Sequence, residues 1–524
     1  MTEENQFDWL RIKDLSGGLN VKDSSYAIRD NESQLCKNLI ITSKGTLKLR
    51  RGYVASPAGA ISGSQGIDNV FRFYGGGSTS YTVVSSVTTT SGVYTIQLEG
   101  TSGWSAVTGG TALAAFSQVR FCDFKENLFI YNGLQWQYTT DCATKADVGF
   151  YNSPGYIGAD PGSGGVTAIT PYLQAICDDR VFVVPNEGTY GRQRFFWSDY
   201  GGWISDPSAM RFQLANYIDM PLRSGDNVGI TAMQNYGKTD DLVIFRQNDT
   251  WVLSGVGTSD YQLINISGSA GCVSPRGVCV TPEGDMIVVG NDNIFEFTNG
   301  TMRPIGDRVK NRFAGKSMVN AVCEYDAVSD CVIISYPDGC LVWNIAARDW
   351  DEKPVRAWTE FSYQPAAMAR CWKAIDYNKF YLALTGSNKL YYLDGITDDG
   401  SAFTWEYQSK DFDFEAFEVT KQFRSAQTLQ KTTTTTPMTL NLIVNGGDVI
   451  DSKVVTVENK GIVWGGFIWG LGVWGGNSKL IGKIRFDDGL VGNLFSVYLT
   501  ATSLYDIEIY RVAIEYYVDE TRRT

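Results

Sequence analysis

The sequence predicts an all-β protein: a β-propeller of six or seven blades with an N-terminal extension and a C-terminal β-sandwich. Short apolar strands recur in pairs joined by polar turns, aromatic residues make up 13% of the 524 residues, and helix signals are few. β-Branched and aromatic residues pack well on a pleated sheet. A lone hairpin is marginal in water, so these hairpins must stack, and a closed ring of blades stacks them while protecting the strand edges.

The paired strands recur between residues 128 and 395. Each pair is joined by a turn rich in Asn, Asp and Gly, which accept the positive φ angles of tight turns. The pairs are 128–131 with 135–138, 242–245 with 250–253, 286–289 with 294–297, 332–335 with 340–343, and 380–384 with 389–393. Their spacing of roughly 43 to 60 residues suits a four-stranded blade. A large sandwich with coincidental spacing is the alternative.

The pattern divides the chain into three parts: an N-terminal arm (1–56), the propeller (57–395) and a jelly-roll-like β-sandwich (396–524). In the arm, residues 30–39 have the capping residues and the spacing of one short helix. Residues 45–53 form a strand that ends in the pair Arg50-Arg51, which is expected at a solvated strand end rather than in a ligand site. In the last part, residues 507–516 alternate apolar with polar side chains, which predicts a strand with one buried face.

A glycine-rich stretch inside the sandwich carries three tryptophans five residues apart, Trp464, Trp469 and Trp474. A spacing of five fits neither the strand period nor the helical one, so each Trp is expected at its own glycine bend. The rings either form a stacked aromatic core within this loop or present an exposed surface that docks a neighbouring subunit. Because Trp is enriched at interface hot spots, these three residues are the candidates for partner docking.

Composition excludes several kinds of function. The chain has no histidine, which removes Ser-His-Asp catalysis and histidine-ligated zinc. Its net charge of −12 is opposite to that of a protein that grips nucleic acid through its phosphates. No apolar run approaches the ~18 residues of a membrane span. The ten cysteines include no CxxC pair and are expected to be reduced thiols. We predict no cofactor and no metal.

The remaining candidates for chemistry are adjacent carboxylates. They are Asp178-Asp179, Asp240-Asp241, Asp398-Asp399 and Asp487-Asp488. Adjacent residues of a strand point to opposite faces, so these are expected to be turn residues rather than acid–base pairs. Asp411 and Asp413 would share one strand face, which leaves a calcium site open there. We therefore expect no enzyme, and a glycosidase that uses carboxylates alone ranks last among the alternatives.

The arm carries a series of short motifs. In order they are Gly17-Gly18-Leu19-Asn20, Asp30-Asn31-Glu32, Asn38-Leu39 and Gly45-Thr46-Leu47-Lys48-Leu49-Arg50-Arg51-Gly52-Tyr53. Further motifs follow at 177–183, 194–199, 243–251, 271–274 and 293–300. In this order the motifs resemble the β-propeller tail proteins of short-tailed bacteriophages, which are the tail nozzle and packaged-DNA stabilisation proteins. The resemblance extends over most of the chain up to about residue 395.

The resemblance implies a structural virion protein of a phage tail. It implies a homo-oligomeric ring, a hexamer, below the portal or adaptor proteins and in contact with tail fibres or spikes. The ring would form part of the channel that retains and then releases the genome, and DNA would pass through without sequence-specific binding. The protein would be synthesised in the host cytoplasm and located in the virion. The alternative is a receptor- or glycan-binding tail protein whose exposed Trp and Tyr rings stack on sugars.

Overall fold

The structure, a computed structural model, describes most of residues 8–523. The residues left out of this range are 76–78, 89–92, 115–117, 158–167, 187–191, 204, 222–228, 256, 258, 350, 372, 374–378, 415–416, 433–435, 446–448, 458–479 and 487–490. Over the described residues, seven four-stranded antiparallel units are arranged as the blades of a ring. The predicted β-propeller is thereby confirmed. None of the helices in this part of the chain is long and apolar enough to cross a bilayer.

From residue 8 onwards, six strands precede the first complete blade. They are β1 (Asp8–Ile12), β2 (Gly18–Leu19), β3 (Glu32–Lys37), β4 (Leu39–Ile41), β5 (Leu47–Leu49) and β6 (Tyr53–Ala60).

The blades follow in chain order. Blade 1 has β7 (Ser64–Tyr74), β8 (Ser80–Thr88), β9 (Tyr94–Glu99) and β10 (Trp104–Ala106). Blade 2 has β11 (Arg120–Phe124), β12 (Asn127–Tyr131), β13 (Trp136–Thr139) and β14 (Ala146–Asp147). Blade 3 has β15 (Pro171–Cys177), β16 (Arg180–Pro185), β17 (Arg194–Trp197) and β18 (Tyr217–Asp219). Blade 4 has β19 (Ala232–Tyr236), β20 (Asp241–Phe245), β21 (Thr250–Ser254) and β22 (Gln262–Ser267).

The last three blades complete the ring. Blade 5 has β23 (Val278–Val280), β24 (Met286–Val289), β25 (Ile294–Thr298) and β26 (Thr301–Pro304). Blade 6 has β27 (Val322–Asp326), β28 (Cys331–Tyr336), β29 (Gly339–Asn344) and β30 (Ala357–Glu360). Blade 7 has β31 (Pro365–Arg370), β32 (Phe380–Leu384) and β33 (Lys389–Leu393), and its fourth strand is β6.

The first strand of each blade is the innermost one, and it contacts the first strands of both neighbouring blades, so that these strands close a circle. A separate group of buried apolar side chains fills each of the seven interfaces between successive blades of the described chain. In β20, Leu242 and Ile244 pack towards blade 3, whereas Val243 and Phe245 pack towards blade 5. Central strands buried on both faces therefore appear in the sequence as continuous apolar runs.

Blade 7 is closed by a strand from the other end of the chain. β6 pairs antiparallel with β33, with Tyr53 opposite Leu393 and Lys389 opposite Ala60. The ring is thus fastened by hydrogen bonds between segments that are more than 300 residues apart. Full closure protects the edges that an open sheet would expose.

In the described part of the C-terminal sandwich there are eight strands that belong to it alone. They are β34 (Thr404–Ser409), β35 (Val419–Thr432), β36 (Thr436–Val444), β37 (Val449–Val457), β38 (Leu480–Arg485), β39 (Val491–Gly492), β40 (Phe495–Thr502) and β41 (Ile507–Arg523). One sheet has the order β38-β35-β41-β5-β4, with β1 also paired to β41 and β39 to β35. The other has the order β37-β36-β40-β34-β3 and continues through β30 into blade 6. The strands of the arm are therefore part of the sandwich sheets.

The short helix predicted at residues 30–39 is wrong. This stretch forms β3, which pairs antiparallel with β34, and its last residue Lys37 pairs parallel with Glu360 of β30. Pairing with two distant strands outweighs the local capping signal, because tertiary context routinely overrides helix propensity. The helical elements of the described residues are α1 (Lys310–Phe313) and the 3₁₀ turns Pro207–Ala209 and Asp307–Val309. All ten cysteines are free thiols, as predicted.

The start of β6 provides a test of ring closure. The backbone N–H of Gly52 donates to the Gly395 carbonyl at 2.9 Å, and a Cβ on Gly52 would overlap the Thr397 carbonyl oxygen. We expect Gly52→Ala to lower the free energy of unfolding by about 2–3 kcal/mol, because neither backbone segment has room to move. Urea unfolding followed by tryptophan fluorescence measures it.

The matched control is Gly237→Ala, because a Cβ there would have no neighbour within 4 Å. It should change the free energy of unfolding by less than about 1 kcal/mol. Equal midpoints for the two variants would contradict the assigned packing at Gly52.

Candidate functional site at the junction of arm, propeller and sandwich

The motifs of the N-terminal arm meet where the arm, blade 6 and the start of the sandwich come together. We call this region the arm junction. It consists of Gly18, Asn20, Glu32, Asn38, Arg50 and Arg51 from the arm, Asp326 and Trp358 from blade 6, and Asp398, Phe403 and Thr404 from the segment that leads into the sandwich.

Arg50 is the central residue of the arm junction and is 1% exposed. Its guanidinium donates two hydrogen bonds to Asp398, from Nη1 to Oδ1 at 2.9 Å and from Nη2 to Oδ2 at 2.7 Å. Its flat face lies 3.6 Å from the ring centroid of Phe403. The expectation of a solvated strand end for Arg50 is therefore wrong. Bidentate pairing and stacking on an aromatic ring allow this cation to be buried.

Arg51 ties the arm to the last two blades. Its Nη2 lies 2.6 Å from Oδ1 of Asp326, a buried residue at the end of β27, and its Nη1 donates to the Leu393 carbonyl at 3.1 Å. The second arginine of the pair is therefore also not solvated in the way that was expected. Two successive arginines thus fasten β6 at its start, one to the sandwich segment and one to the propeller.

Asn38 links three segments through one side chain. Its amide nitrogen donates to the Thr404 carbonyl at 2.6 Å, and its amide oxygen accepts from Arg50 Nε at 2.8 Å and from the Ser362 backbone N–H at 2.9 Å. Its backbone has φ 59°, a left-handed conformation that Asn tolerates better than most residues. Sequence reasoning assigned no role to Asn38 beyond its place in the motif series.

The first motif of the arm packs against blade 6. Gly18 has φ +67°, and a Cβ there would lie 2.6 Å from the Trp358 carbonyl oxygen. Asn20 Nδ2 donates to Oε2 of Glu32 at 2.9 Å, and Arg308 Nη2 lies 3.1 Å from Oε1 of the same carboxylate. Glycine is therefore required for the close approach of two backbones, and Glu32 is held from both sides.

A second candidate site is the axial cavity of the propeller, with a volume of about 380 Å³. First strands of six blades line it, and its charged groups include Asp123, Glu324 and Arg370. Glu324 Oε1 lies 3.6 Å from Arg370 Nε, and Arg370 Nη1 donates to the Val280 carbonyl at 2.7 Å. Burial raises the pKa of Glu324, and Arg370 opposes this rise. Burial also raises the pKa of Asp123.

Near the opposite end of the inner strands lies another charged pair. Arg276 Nη1 donates to the Asp68 carbonyl at 2.9 Å. Burial lowers the pKa of Arg276 to about 10, and the Asp68 charge opposes this change. Burial also raises the pKa of Asp68. The axial cavity itself is lined by charged groups of both signs, Arg72, Asp123, Glu324 and Arg370, which suits water or small polar molecules better than an extended polyanion.

The structure places the predicted site residues as follows. Trp464, Trp469 and Trp474 lie outside the described residues, as do Asp487 and Asp488. The other carboxylate pairs lie at turns or strand ends, and Asp178 and Asp179 form the turn between β15 and β16 with φ 48° and 50°. Asp411 accepts a hydrogen bond from Gln34. Within the described chain, no three Cys, Asp or Glu side chains are grouped so that they could hold a metal.

No family model matches the sequence, and no curated protein matches it. Among solved structures, the chain is similar to the WD40 domain of Neurospora crassa Pan2, with 6% identity, 68% of this chain and 98% of that chain covered, and a TM-score of 0.36. It is similar to the β-propeller domain of Myceliophthora thermophila Cps50 (Swd1), with 11% identity, 64% and 98% covered, and a TM-score of 0.39. YCF48 bound to D1 peptide matches with 11% identity, 66% and 96% covered, and a TM-score of 0.36.

The Arg50–Asp398 pair makes a direct prediction about stability. Arg50→Gln leaves the Asp398 carboxylate without its bidentate partner in a largely buried place, so we expect a loss of about 3–5 kcal/mol in the free energy of unfolding. The double variant Arg50→Gln/Asp398→Asn should recover part of this loss, because the uncompensated charge is gone. Urea unfolding of the full chain measures both.

Lys353→Gln is the control for this series. It breaks an ion pair with Asp351 whose side chains are 71% and 67% exposed, and exposed pairs contribute less than about 1 kcal/mol. A loss in the Arg50 variant no larger than that of the Lys353 variant would contradict the role assigned to the buried pair.

Glu324 predicts a pH dependence. Because its pKa is raised in the folded state, the folded protein holds this proton to higher pH than the unfolded chain. The stability that the protonated form contributes is present below the unfolded pKa of about 4.3 and is lost as pH rises through the raised folded pKa. Glu324→Gln lacks this titration. We therefore expect the stability of the variant relative to the wild type to increase as the pH rises above about 4.3 and through the raised folded pKa.

Urea midpoints at several pH values measure this difference. Glu126→Gln, at an exposed turn of blade 2, is the control and should show no comparable trend. A difference between Glu324→Gln and the wild type that stays flat or falls with pH would contradict the assignment.

Proposed function

We propose that this chain is a structural, nozzle-like protein of a bacteriophage tail. In this proposal it assembles as a ring below the portal or adaptor and forms part of the channel that retains and then releases the genome. The observation that carries the proposal is the arm junction. The arm motifs on which the resemblance to tail nozzle proteins rests supply the side chains and close backbone contacts of this junction. Contacts that join the arm, the propeller and the sandwich in this way would make the subunit rigid, as a component of a large assembly needs to be.

Rigidity between the two parts supports a structural role. Domains joined by a linker move relative to each other by default unless their interface is large and apolar. Here one continuous apolar core includes Val289 of blade 5, Val332 of blade 6, and Leu440 and Ile514 of the sandwich. A bending motion would also have to break the pairing of β3 with both β34 and β30. A ring of such subunits would keep the diameter of its channel when a force acts on it.

The resemblance supplies the rest of the proposed assembly. The ring would be a hexamer, with tail fibres or spikes as further partners, in a virion whose proteins are made in the host cytoplasm. The net charge of −12 supports a channel through which DNA slides without being bound. Contacts with phosphates that would retain the DNA need a surplus of Lys and Arg. The free thiols are compatible with synthesis in a reducing compartment.

Exposed tyrosines favour a second candidate function, that of a receptor- or glycan-binding tail protein. Tyr200, at a turn of blade 3, is 68% exposed, and Tyr26 of the arm is 62% exposed. Rings of this kind combine an apolar face with a hydroxyl and are suited to recognition surfaces. The carboxylate-only glycosidase gains no such support from any described cluster of side chains.

The experiment that tests the proposal is native mass spectrometry and electron microscopy of the purified full chain, alone and mixed with the portal or adaptor of the same phage. We expect a closed ring with an open axial channel, formed alone or on the partner. A glycan array with wild-type protein and Tyr200→Ala is run in parallel.

A chain that stays monomeric or trimeric with every partner would overturn the nozzle proposal. Glycan binding that is lost in Tyr200→Ala would then establish the receptor-binding alternative. A ring without glycan binding would exclude that alternative for the isolated chain.

A further inference from the structure

A second cavity, of about 570 Å³, lies beside the arm junction. Its lining comes from four parts of the chain: Lys37 at the end of β3, Arg312 and Lys316 in and after α1, the turn between β28 and β29, and Glu360 at the end of β30 with the residues that follow it. We call it the basic cavity. It sits at the one point where the sandwich sheet continues into the propeller, because Lys37 and Glu360 are the residues paired there.

Positive charge exceeds negative charge inside the basic cavity. Arg312 Nε lies 2.6 Å from Glu360 Oε1, so one cation is neutralised. Lys37 Nζ is 3.9 Å from Glu406 Oε2, which is a long contact. Among the described residues Lys316 forms no ion pair of its own; its Nζ lies 5.2 Å from the ring centroid of Tyr336, and its charge acts on Glu360 from a longer distance. The other carboxylate of the lining, Asp338, is exposed at the rim.

Aromatic walls strengthen the effect of this surplus. Tyr336, Phe361 and Tyr363 line the cavity and are largely buried, so charges beside them are screened less than charges on an open surface. Burial raises the pKa of Glu360, while Arg312, Lys37 and Lys316 oppose the rise. A cleft with cations and low-dielectric walls concentrates anions from solution, and here it does so on a chain whose overall charge is negative.

We propose that the basic cavity binds a small oxyanion of the phosphate class. Lys316 and Lys37 would supply its charge complement, and Arg312 would shift part of its pairing from Glu360 to the ligand. The bound anion would bridge the arm, α1 and blade 6 and would stabilise the arm junction. This inference goes beyond the proposed function and does not depend on it. The ligand is either the free ion or the phosphate group of a small molecule whose remainder contacts the aromatic walls.

Thermal unfolding and calorimetric titration of the full chain test the proposal, with sodium phosphate compared to sodium chloride at equal ionic strength. We expect a saturable rise in Tm with phosphate, because a ligand that binds only the folded state stabilises it. Glucose 6-phosphate is the second probe. Tighter binding of glucose 6-phosphate than of inorganic phosphate assigns the site to a phosphorylated small molecule, and equal or weaker binding assigns it to the free ion.

Two variants with the same change in charge separate a site from a general charge effect. Lys316→Gln should weaken phosphate binding about tenfold, since a charged group that contacts the ligand is lost. Lys310→Gln, at the start of α1 but 4.0 Å from Asp292 and outside the cavity lining, should change affinity less than about twofold.

Glu360→Gln should change the phosphate affinity in the opposite direction to Lys316→Gln, and it keeps the shape of the side chain. Removing the carboxylate that competes for Arg312 should tighten phosphate binding, whereas a purely structural role for Glu360 would lower Tm without tightening it. The proposal is overturned if phosphate and chloride give the same Tm curve, if both lysine variants weaken binding equally, or if Glu360→Gln fails to bind phosphate more tightly.

Discussion

Burial of the Arg50 guanidinium is the constraint on which the rest of the architecture depends. Desolvating a cation is costly, and a partner must satisfy most of its donors before the buried state is tolerated. Asp398 and Asn38 provide three of those hydrogen bonds, from the sandwich segment and from the arm itself. Once this pair has formed, the position of Tyr53 at the start of β6 is set, and with it the register in which β6 completes blade 7. Ring closure and docking of the sandwich are therefore consequences of one local arrangement.

The parts of the fold that could be predicted are those whose neighbours lie close in sequence. The five predicted hairpins correspond to the second and third strands of blades 2, 4, 5, 6 and 7. These strands are buried on both faces and joined by turns with recognisable residues, so their pattern is unmistakable. The innermost and outermost strands were not resolved from sequence, because they mix polar with apolar residues. In β22, for example, most side chains are exposed or half-buried. β6 could not be assigned to blade 7, because the local sequence does not show that its pairing partner β33 lies beyond residue 380.

The candidate site could not be predicted for the same reason, because its residues are far apart in the sequence. Arg50 and Asp398 are 348 residues apart, and each sits in a doublet of like charges that on its own is typical of a solvated turn. The arm motifs include Arg50 but not Asp398, so these two residues were not linked by the sequence pattern. Gly18 and Asn38 were recognised as motif residues in the sequence, but the sequence does not show why these residue types are needed. Gly18 allows a close approach to the Trp358 carbonyl, and Asn38 bonds three segments. Both contacts form only when distant parts of the backbone pack together. The three carboxylate pairs within the described residues had the local pattern of turns and lie at turns or strand ends, because φ preferences act within a few residues.

The exchange of strands between the two ends of the chain has a consequence for biosynthesis. β1 is made well before its partner β41, because the paired residues Asp8 and Tyr516 are about 500 positions apart in the chain. At ~5–20 residues per second, the arm waits roughly 25–100 s for that partner. During this interval blades 1 to 5 can collapse on their neighbours, whereas the arm strands present unpaired edges that could associate with other nascent chains. The strongly non-local pairing also predicts slow final assembly. Production in a host should therefore depend on chaperones and on growth temperature more than the stability of the finished protein would indicate.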